Sequence, residues 1–322
     1  MTGAPPTPSP DAIWTADTLS SATGATLQLY ERLPSATPRA VVHILHGMAE
    51  HAGRYGRFAA ALAAAGYAAM AHDHRGHGLT QAPDASRGHF GRAASAAATW
   101  DLVVADALAV NAHIRDRHDR TPIVVFGHSM GAIASLSYAT AHSGTAEGVA
   151  VWNVEIDRTP ALAAFRALLR AERMFKGSDV PSAFAERLTF ETWNREFAPN
   201  RTDFDWLSRD KGEVDAYVAD PLCGFPVTIG TWLAVLAGVR FCAADVNLEG
   251  LPRDKHVHLL AGSADPCSRH ARAKNTLADR MKALNVRDVT SVTVEGARHE
   301  ALNEIDREET ISTFIRWLDE RF

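Results

Sequence analysis

The sequence predicts an α/β protein with a mostly parallel central sheet, helices on both faces and an inserted helical cap. Two observations carry this prediction. Short apolar segments rich in β-branched residues alternate with amphipathic helical segments, a pattern typical of parallel sheets whose two faces are both covered. This alternation stops in the block 155–248 and then resumes to the end of the chain. We therefore expect one α/β core that is interrupted by a cap.

The elements that precede the interruption follow one another in chain order. Residues 1–24 are predicted to be a flexible Pro-rich leader, because they lack the basic start and apolar stretch of a signal peptide. The core then begins at residue 25 and runs to residue 154. Apolar runs predict strands at 27–33, 40–45, 67–71, 123–126 and 148–152, and helical spacing or composition predicts helices at 55–65, 100–117 and 132–141.

The block 155–248 is predicted to be the inserted helical cap. Helical patches at 160–175 and 181–197 alternate there with aromatic loops that contain Pro and Gly, and no short apolar strand stands out. The core resumes over 249–322. Its predicted strands and helices are, in order, strand 256–261, helix 269–284, strand 289–295 and helix 307–322.

Composition excludes several classes of protein. A net charge of −5 gives no reason to expect nucleic acid or an anionic membrane as a partner. No apolar run is long enough to span a membrane, and three scattered cysteines suit neither a disulfide framework nor a zinc site. We therefore expect a cytoplasmic protein with a small-molecule substrate; the composition leaves its oligomeric state open.

The pentapeptide 127–131, Gly-His-Ser-Met-Gly, lies between the predicted strand 123–126 and the predicted helix 132–141. A sharp strand-to-helix turn of this kind exposes a serine hydroxyl at a helix N-terminus, where free N–H groups favour developing negative charge. The five-residue pattern alone is weak, but its position between a strand and a helix makes it specific. Ser129 is the predicted nucleophile.

A serine nucleophile needs a base and a group that orients the base. Asp265 and His299 follow the last two predicted strands, and ligands bind at such strand ends in parallel sheets. The order Ser129, Asp265, His299 is the one expected of such a triad in an α/β sheet. Asp157, which follows the strand 148–152, is the alternative acid, and Asp265 could instead cap the turn before Pro266.

Five segments carry a resemblance to a known family. The chain resembles the monoacylglycerol lipase and lysophospholipase group of α/β-hydrolases, which is also classed with the serine aminopeptidases. The resemblance covers the chain from about residue 25 to its end, except the cap. The matching segments are His46-Gly-Met-Ala-Glu-His51, Asp73-His-Arg-Gly-His-Gly78, Gly127-His-Ser-Met-Gly131, Asp265-Pro266 and Arg298-His-Glu300.

The resemblance implies a set of roles. It implies Ser129 as nucleophile, His299 as base and Asp265 as the acid that orients the base. It also implies an oxyanion hole made by the backbone N–H groups of Met48 and Met130, and a substrate such as a monoacylglycerol or lysophospholipid. It implies no cofactor.

The spacing His72-x-His74-x-x-His77 raises the possibility of a metal site. It matches no familiar zinc pattern, and the glycines at 76 and 78 favour a turn that leaves a strand. In the resembling family the segment 73–78 is structural. We therefore predict no metal ligand and no metal requirement.

Three functions remain open at this stage. The first is hydrolysis of a carboxylic ester through an acyl-enzyme, with at most transient contact with a membrane surface. The second is an aminopeptidase-like amide hydrolase with the same triad, in which Glu155, Asp157 or Glu213 would hold the substrate ammonium. The third is a non-catalytic binding protein, although proteins of that kind usually lack a triad member and none is missing here.

Overall fold

The computed structural model describes residues 14–322 and has eight strands and eleven α-helices in that range. The strands are β1 (Thr15–Ser20), β2 (Thr26–Arg32), β3 (Val41–Leu45), β4 (Ala68–His72), β5 (Ile123–His128), β6 (Gly148–Trp152), β7 (His256–Gly262) and β8 (Asp288–Val294). The helices are α1 (Gly56–Ala64), α2 (Ala96–Arg117), α3 (Met130–Ala141), α4 (Pro160–Lys176), α5 (Ala183–Leu188), α6 (Phe190–Arg195), α7 (Lys211–Ala219), α8 (Ile229–Cys242), α9 (Asp245–Leu248), α10 (Arg272–Ala283) and α11 (Arg307–Asp319).

The strands form one sheet in the order β1-β2-β4-β3-β5-β6-β7-β8. The first two strands are antiparallel to their neighbours, and every pairing from β4 to β8 is parallel. In the register, Leu45 pairs with Gly127, His128 with Trp152, and Gly262 lies beside the end of β8. The carboxyl ends of the six parallel strands therefore meet at one edge of the sheet, as expected for a ligand site.

Helices cover both faces of the sheet, which confirms the predicted fold class. Strands β3 to β6 are buried along their whole length, because each face carries its own apolar layer. Helices α2, α3, α8 and α10 contribute to the layer on one face, and α1 and α11 contribute to the layer on the other.

The segment Thr15–Ser20 differs from the predicted leader. It forms β1, which pairs with β2 from Thr15 opposite Glu31 to Ser20 opposite Thr26. The hydroxyls of Ser21 and Thr23 donate hydrogen bonds to the buried Asp106 carboxylate. Residues 1–13 of the predicted leader lie outside the described residues. The prediction extended too far because β1 is an exposed edge strand, which lacks the apolar run by which the other strands were recognised.

Helix α8 also differs from the prediction, since it lies in the predicted cap block but packs into the core. It joins the apolar layer that contains α2 and α3, and Cys242 Sγ lies 3.2 Å from Ser137 Oγ on α3. A Cβ at Gly238 would overlap the Trp100 ring, so the glycine lets the two helices approach closely. An α-helix that is apolar on all sides lacks the amphipathic period by which helices are recognised. Helix α7 was missed as well, in a segment predicted to be loop.

Between residues 14 and 322, no helix combines the length and the apolarity that crossing a bilayer would require.

The ion pair Arg75–Asp106 provides a test of the core. Its Nε–Oδ2 distance is 2.8 Å and both side chains are 1% exposed. We expect Asp106→Asn to lower the free energy of unfolding by about 3–5 kcal/mol, because it leaves a buried guanidinium without its counter-charge. Urea unfolding measures the change.

Asp179→Asn is the matched control, because the Arg92–Asp179 pair is 67% and 51% exposed. Exposed pairs contribute about 0–1 kcal/mol, so the control should change stability little. Equal effects of the two substitutions would show that the buried pair does not stabilise the core as described.

Candidate active site

Ser129 lies in the sharp turn between β5 and α3, at the carboxyl edge of the sheet. Its φ of 55° and ψ of −118° place it in a conformation that non-glycine residues rarely adopt. Its N–H donates to the Trp152 carbonyl at 2.9 Å, and its own carbonyl accepts from Ala132 N–H at 2.9 Å. The flanking elements thus hold the strained backbone in place, and the half-buried Ser129 side chain faces a cavity.

Two glycines make this turn possible. A Cβ at Gly127 would overlap the carbonyl oxygen of Gly131, and a Cβ at Gly131 would overlap the carbonyl oxygen of Leu45. The glycines on both sides of the serine therefore have a steric cause.

Met48 lies in the turn after β3, and Met130 begins α3; both line the Ser129 side of the sheet edge. No protein group in 14–322 accepts a hydrogen bond from the Met48 N–H. The Met130 N–H belongs to the first turn of α3, where N–H groups have no intrahelical acceptor. The neighbouring Gly47 N–H, by contrast, donates to Glu50 Oε1 at 2.6 Å.

His299 and Asp265 are brought together in the fold. The distance from His299 Nδ1 to Asp265 Oδ1 is 3.0 Å, and both side chains are buried. Asp265 also accepts hydrogen bonds from Cys267 N–H at 3.0 Å and from Asn153 Nδ2 at 3.2 Å. Burial alone would raise the pKa of the Asp265 carboxyl, but His299 and the hydrogen bonds outweigh it and hold the pKa below its usual value.

Asp157, the alternative acid, is engaged elsewhere. Its carboxylate pairs with Arg269, which also binds Glu155 with an Nε–Oε1 distance of 2.9 Å. Asn153 was not predicted from the sequence, although it directly follows β6 at the same sheet edge as the other site residues. Its backbone φ of 52° is held by a hydrogen bond from its N–H to the Leu260 carbonyl.

The loop that carries His299 is tied to the inserted block. The His299 N–H donates to the Trp206 carbonyl at 3.3 Å, and the Glu300 N–H donates to the Leu207 carbonyl at 2.8 Å. The Trp206 ring packs on the imidazole with 4.7 Å between centroids. The position of the imidazole therefore depends on this segment as well as on β8.

A buried charge network lies beneath the site. The Arg54 guanidinium bridges two carboxylates, with distances of 2.6 Å to Glu50 and 2.7 Å to each oxygen of Glu300. Burial would raise the pKa of both carboxyls, but the Arg54 charge outweighs it and lowers both. Because Glu50 also accepts from the Gly47 N–H, the network connects the turn after β3 with the His299 loop.

His128 joins this network to His299. Its Nδ1 lies 3.4 Å from Glu50 Oε1 and its Nε2 lies 2.9 Å from the His299 carbonyl oxygen. Burial lowers the pKa of His128, but the hydrogen bond and charge of Glu50 outweigh it and the net shift is upward. None of the four residues of this network was predicted from the sequence as a site residue, although Glu50, His128 and Glu300 lie within the segments that carry the family resemblance.

Ser129 and His299 line one cavity of about 450 Å³. Part of its wall is apolar and aromatic, and another part carries polar and charged side chains from the inserted block. The apolar group includes Met48, Phe190, Phe204, Trp206, Leu207 and Phe225, and the polar group includes Glu186, Glu191, Asn194, Arg195, Asn200 and Asp203. The cavity can hold an apolar chain and a polar group at the same time.

The carboxylates considered for an ammonium site do not line this cavity. Glu155 and Asp157 share Arg269, and Glu213 pairs with Arg57 with a distance of 2.8 Å. Each already has a cationic partner, so none is free to hold a substrate ammonium as the sequence analysis suggested.

The histidines of the segment 72–77 are buried, and burial lowers the pKa of His72, His74 and His77. In the described part of the chain, the one group with converging ligand atoms is His51, Asp220 and Cys223, whose atoms lie within 4.8 Å of one another. The positive charge of Arg54 acts on Asp220 and Cys223 and opposes a cation there.

The sheet, the strained serine turn and the buried His299–Asp265 pair define the class of protein. A family model described as serine aminopeptidase, S33, matches residues 36–306. Mus musculus monoglyceride lipase is 29% identical over 268 residues, which cover 83% of this chain and 77% of that one. A Mycolicibacterium smegmatis monoacylglycerol lipase is 32% identical over 194 residues, which cover 59% of this chain and 58% of that one. A Bacillus coagulans carboxyl esterase structure superposes with a TM-score of 0.83 at 21% identity, covering 95% of this chain and 98% of that one.

The protein has the α/β-hydrolase fold. Within that class, the chain belongs to the serine aminopeptidase S33 family, as its resemblance to that family had implied.

Arg54→Gln tests the buried charge network. We expect a loss of about 3–5 kcal/mol of unfolding free energy at neutral pH, because two buried carboxylates lose their counter-charge. Arg54 lowers the pKa of Glu50 and Glu300, so its stabilisation is present above the usual Glu value of about 4.3 and is lost as the pH falls. The deficit should therefore be largest at neutral pH and narrow on acidification.

Urea unfolding at several pH values measures this deficit. Arg57→Gln is the control, since the Arg57–Glu213 pair is partly exposed and should contribute about 1 kcal/mol or less. A deficit for Arg54→Gln that stayed constant with pH would contradict an electrostatic role.

Proposed function

We propose that the protein hydrolyses carboxylic esters that carry one acyl chain, such as a monoacylglycerol or lysophospholipid, through an acyl-enzyme. The observation that carries the proposal is one cavity that is lined by Ser129, His299 and a group of apolar and aromatic side chains. Asp265 lies within hydrogen-bond distance of the His299 imidazole. The monoglyceride lipases and the carboxyl esterase to which the chain is similar support an ester, not an amide, as the substrate.

In the proposed mechanism, Ser129 Oγ attacks the ester carbonyl carbon while His299 takes the hydroxyl proton. The N–H groups of Met48 and Met130 hold the oxyanion, which is worth about 3 kcal/mol per donor. His299 then protonates the leaving alcohol and later activates a water that releases the acid. Asp265, positioned by Asn153, keeps the imidazole oriented and stabilises its charged form.

The surroundings of the substrate follow from the same proposal. Leu168, Met174 and Phe175 on α4 are exposed side chains that can make transient contact with the surface of a lipid aggregate.

We also propose a reducing compartment such as the cytoplasm. Cys223, Cys242 and Cys267 are free thiols in the described part of the chain, which supports that compartment.

Ser129→Ala tests the nucleophile. We expect it to abolish labelling by a fluorophosphonate probe and nearly all hydrolysis of p-nitrophenyl esters, because no other group supplies the attacking oxygen. Ser135→Ala, a buried serine of α3, is the matched control and should still be labelled. Labelling of the Ser129 variant would identify a different nucleophile.

Asp265→Asn tests the acid. It misorients His299 and removes the charge that stabilises the imidazolium, so we expect kcat to fall roughly 10³–10⁴-fold with little change in KM. Asp157→Asn is the control, because that carboxylate pairs with Arg269, and its effect on kcat should be small. A larger loss in the Asp157 variant would reverse the assignment.

An ester series of increasing acyl length tests the cavity and separates esterase from peptidase activity. Each buried methylene is worth about 0.8 kcal/mol, so kcat/KM should rise up to about fourfold per carbon until the cavity is filled. Aminoacyl anilides measured beside the esters should be poor substrates. An enzyme fastest on acetyl esters, or on the anilides, would contradict the proposal.

A further inference from the structure

A second cavity, of about 430 Å³, lies between α4, α8 and the loop that leads into α4. It shares no lining residue with the cavity of Ser129. Its apolar side chains are Leu162 of α4 and Leu236 and Val239 of α8. We call this cavity the α4–α8 groove.

The α4–α8 groove is lined by Arg158, Arg166 and Arg240, whose three guanidiniums carry positive charge. Within residues 14–322, none of the three forms an ion pair or a hydrogen bond to another protein group. The one carboxylate of the groove, Asp157, is bound by Arg269. The groove therefore carries excess positive charge around an apolar floor formed by Leu162, Leu236 and Val239.

Like charges also act on the Arg166 guanidinium. Burial, and then the like charges of Arg240 and Arg170, lower the pKa of the Arg166 guanidinium, and no carboxylate offsets them. Like charges held together in a concave site repel one another unless an anion neutralises them. The N-terminus of α4, a helix of 17 residues, begins beside the same groove and adds to the positive potential.

We propose that the α4–α8 groove binds the anion of a single-chain amphiphile, a fatty-acid carboxylate. The carboxylate accepts hydrogen bonds from the arginines, which suit planar oxyanions, while the chain covers the leucine and valine side chains. A neutral apolar ligand would leave the guanidiniums uncompensated, and a small inorganic anion would leave the apolar floor exposed to water. The site is separate from the proposed ester hydrolysis, although that reaction would release an ion of this class.

Titration calorimetry with dodecanoate tests the groove. We expect Arg166→Gln and Arg240→Gln each to weaken binding by about five- to tenfold, because each removes a charge-assisted contact. Arg173→Gln, an exposed residue two turns further along α4 and outside the lining of the groove, is the matched control and should change the affinity less than about twofold. Dodecanol should bind at least about tenfold more weakly than dodecanoate.

Equal losses in the Arg166 and Arg173 variants would overturn the proposal in favour of general cationic attraction. Equal affinities for dodecanol and dodecanoate would overturn it in favour of a purely apolar groove. The assay involves no turnover, so the absence of esterase activity would overturn the proposed function and not this site. Thermal unfolding shows whether the variants fold, and relief of repulsion should leave their Tm unchanged or slightly raised.

Vesicles distinguish a free fatty-acid ion from an anionic lipid held in a surface. We expect Arg166→Gln to reduce dodecanoate binding more than it reduces sedimentation with phosphatidylglycerol vesicles, and phosphatidylcholine vesicles serve as the neutral reference. Loss of vesicle binding with dodecanoate binding unchanged would overturn the proposal and assign the groove to a lipid head group.

Discussion

The Arg54 guanidinium, held between Glu50 and Glu300, is the interaction on which the arrangement of the site depends. The two carboxylates follow β3 and lie just beyond β8, strands that are separated in the sheet by three others. Burying either carboxylate alone would carry a large desolvation cost. The charge of the shared guanidinium offsets that cost for both. The turn of Met48 and the loop of His299 are thereby fixed relative to each other.

The block 155–248, predicted to be the cap, lines the cavity and also contacts the loop of His299. The backbone carbonyls of Trp206 and Leu207 accept hydrogen bonds from the loop of His299, and the Trp206 ring packs on the imidazole. A movement of this segment would therefore shift the imidazole in addition to opening the cavity. By contrast, α8 from the same block packs into the core, so the block contributes to the core as well as to the cavity.

The family to which the chain belongs carries the name of an aminopeptidase, yet its relatives named here are lipases and an esterase. The same nucleophilic apparatus serves esters and amides, so the side chains around the acyl group and leaving group decide between them. In this chain Glu155 and Asp157 pair with Arg269 outside the cavity, and part of the cavity wall is apolar and aromatic. The surroundings therefore favour an apolar acyl chain.

The sequence by itself determined the features that arise from neighbouring residues. The alternation of apolar strands and helices, the serine turn and the order of Ser129, Asp265 and His299 are local patterns, and each was predicted. The tertiary structure decided what depends on distant partners. Only the fold shows that Asp265 reaches His299 while Arg269 holds Asp157, because both acids follow strand ends at the same sheet edge. The same limit explains the core position of α8 and the Arg54–Glu300 pair: these contacts join residues that lie far apart in the chain, where sequence periodicity carries no signal. Strand β1 was missed for a different reason, since it is an exposed edge strand without an apolar run.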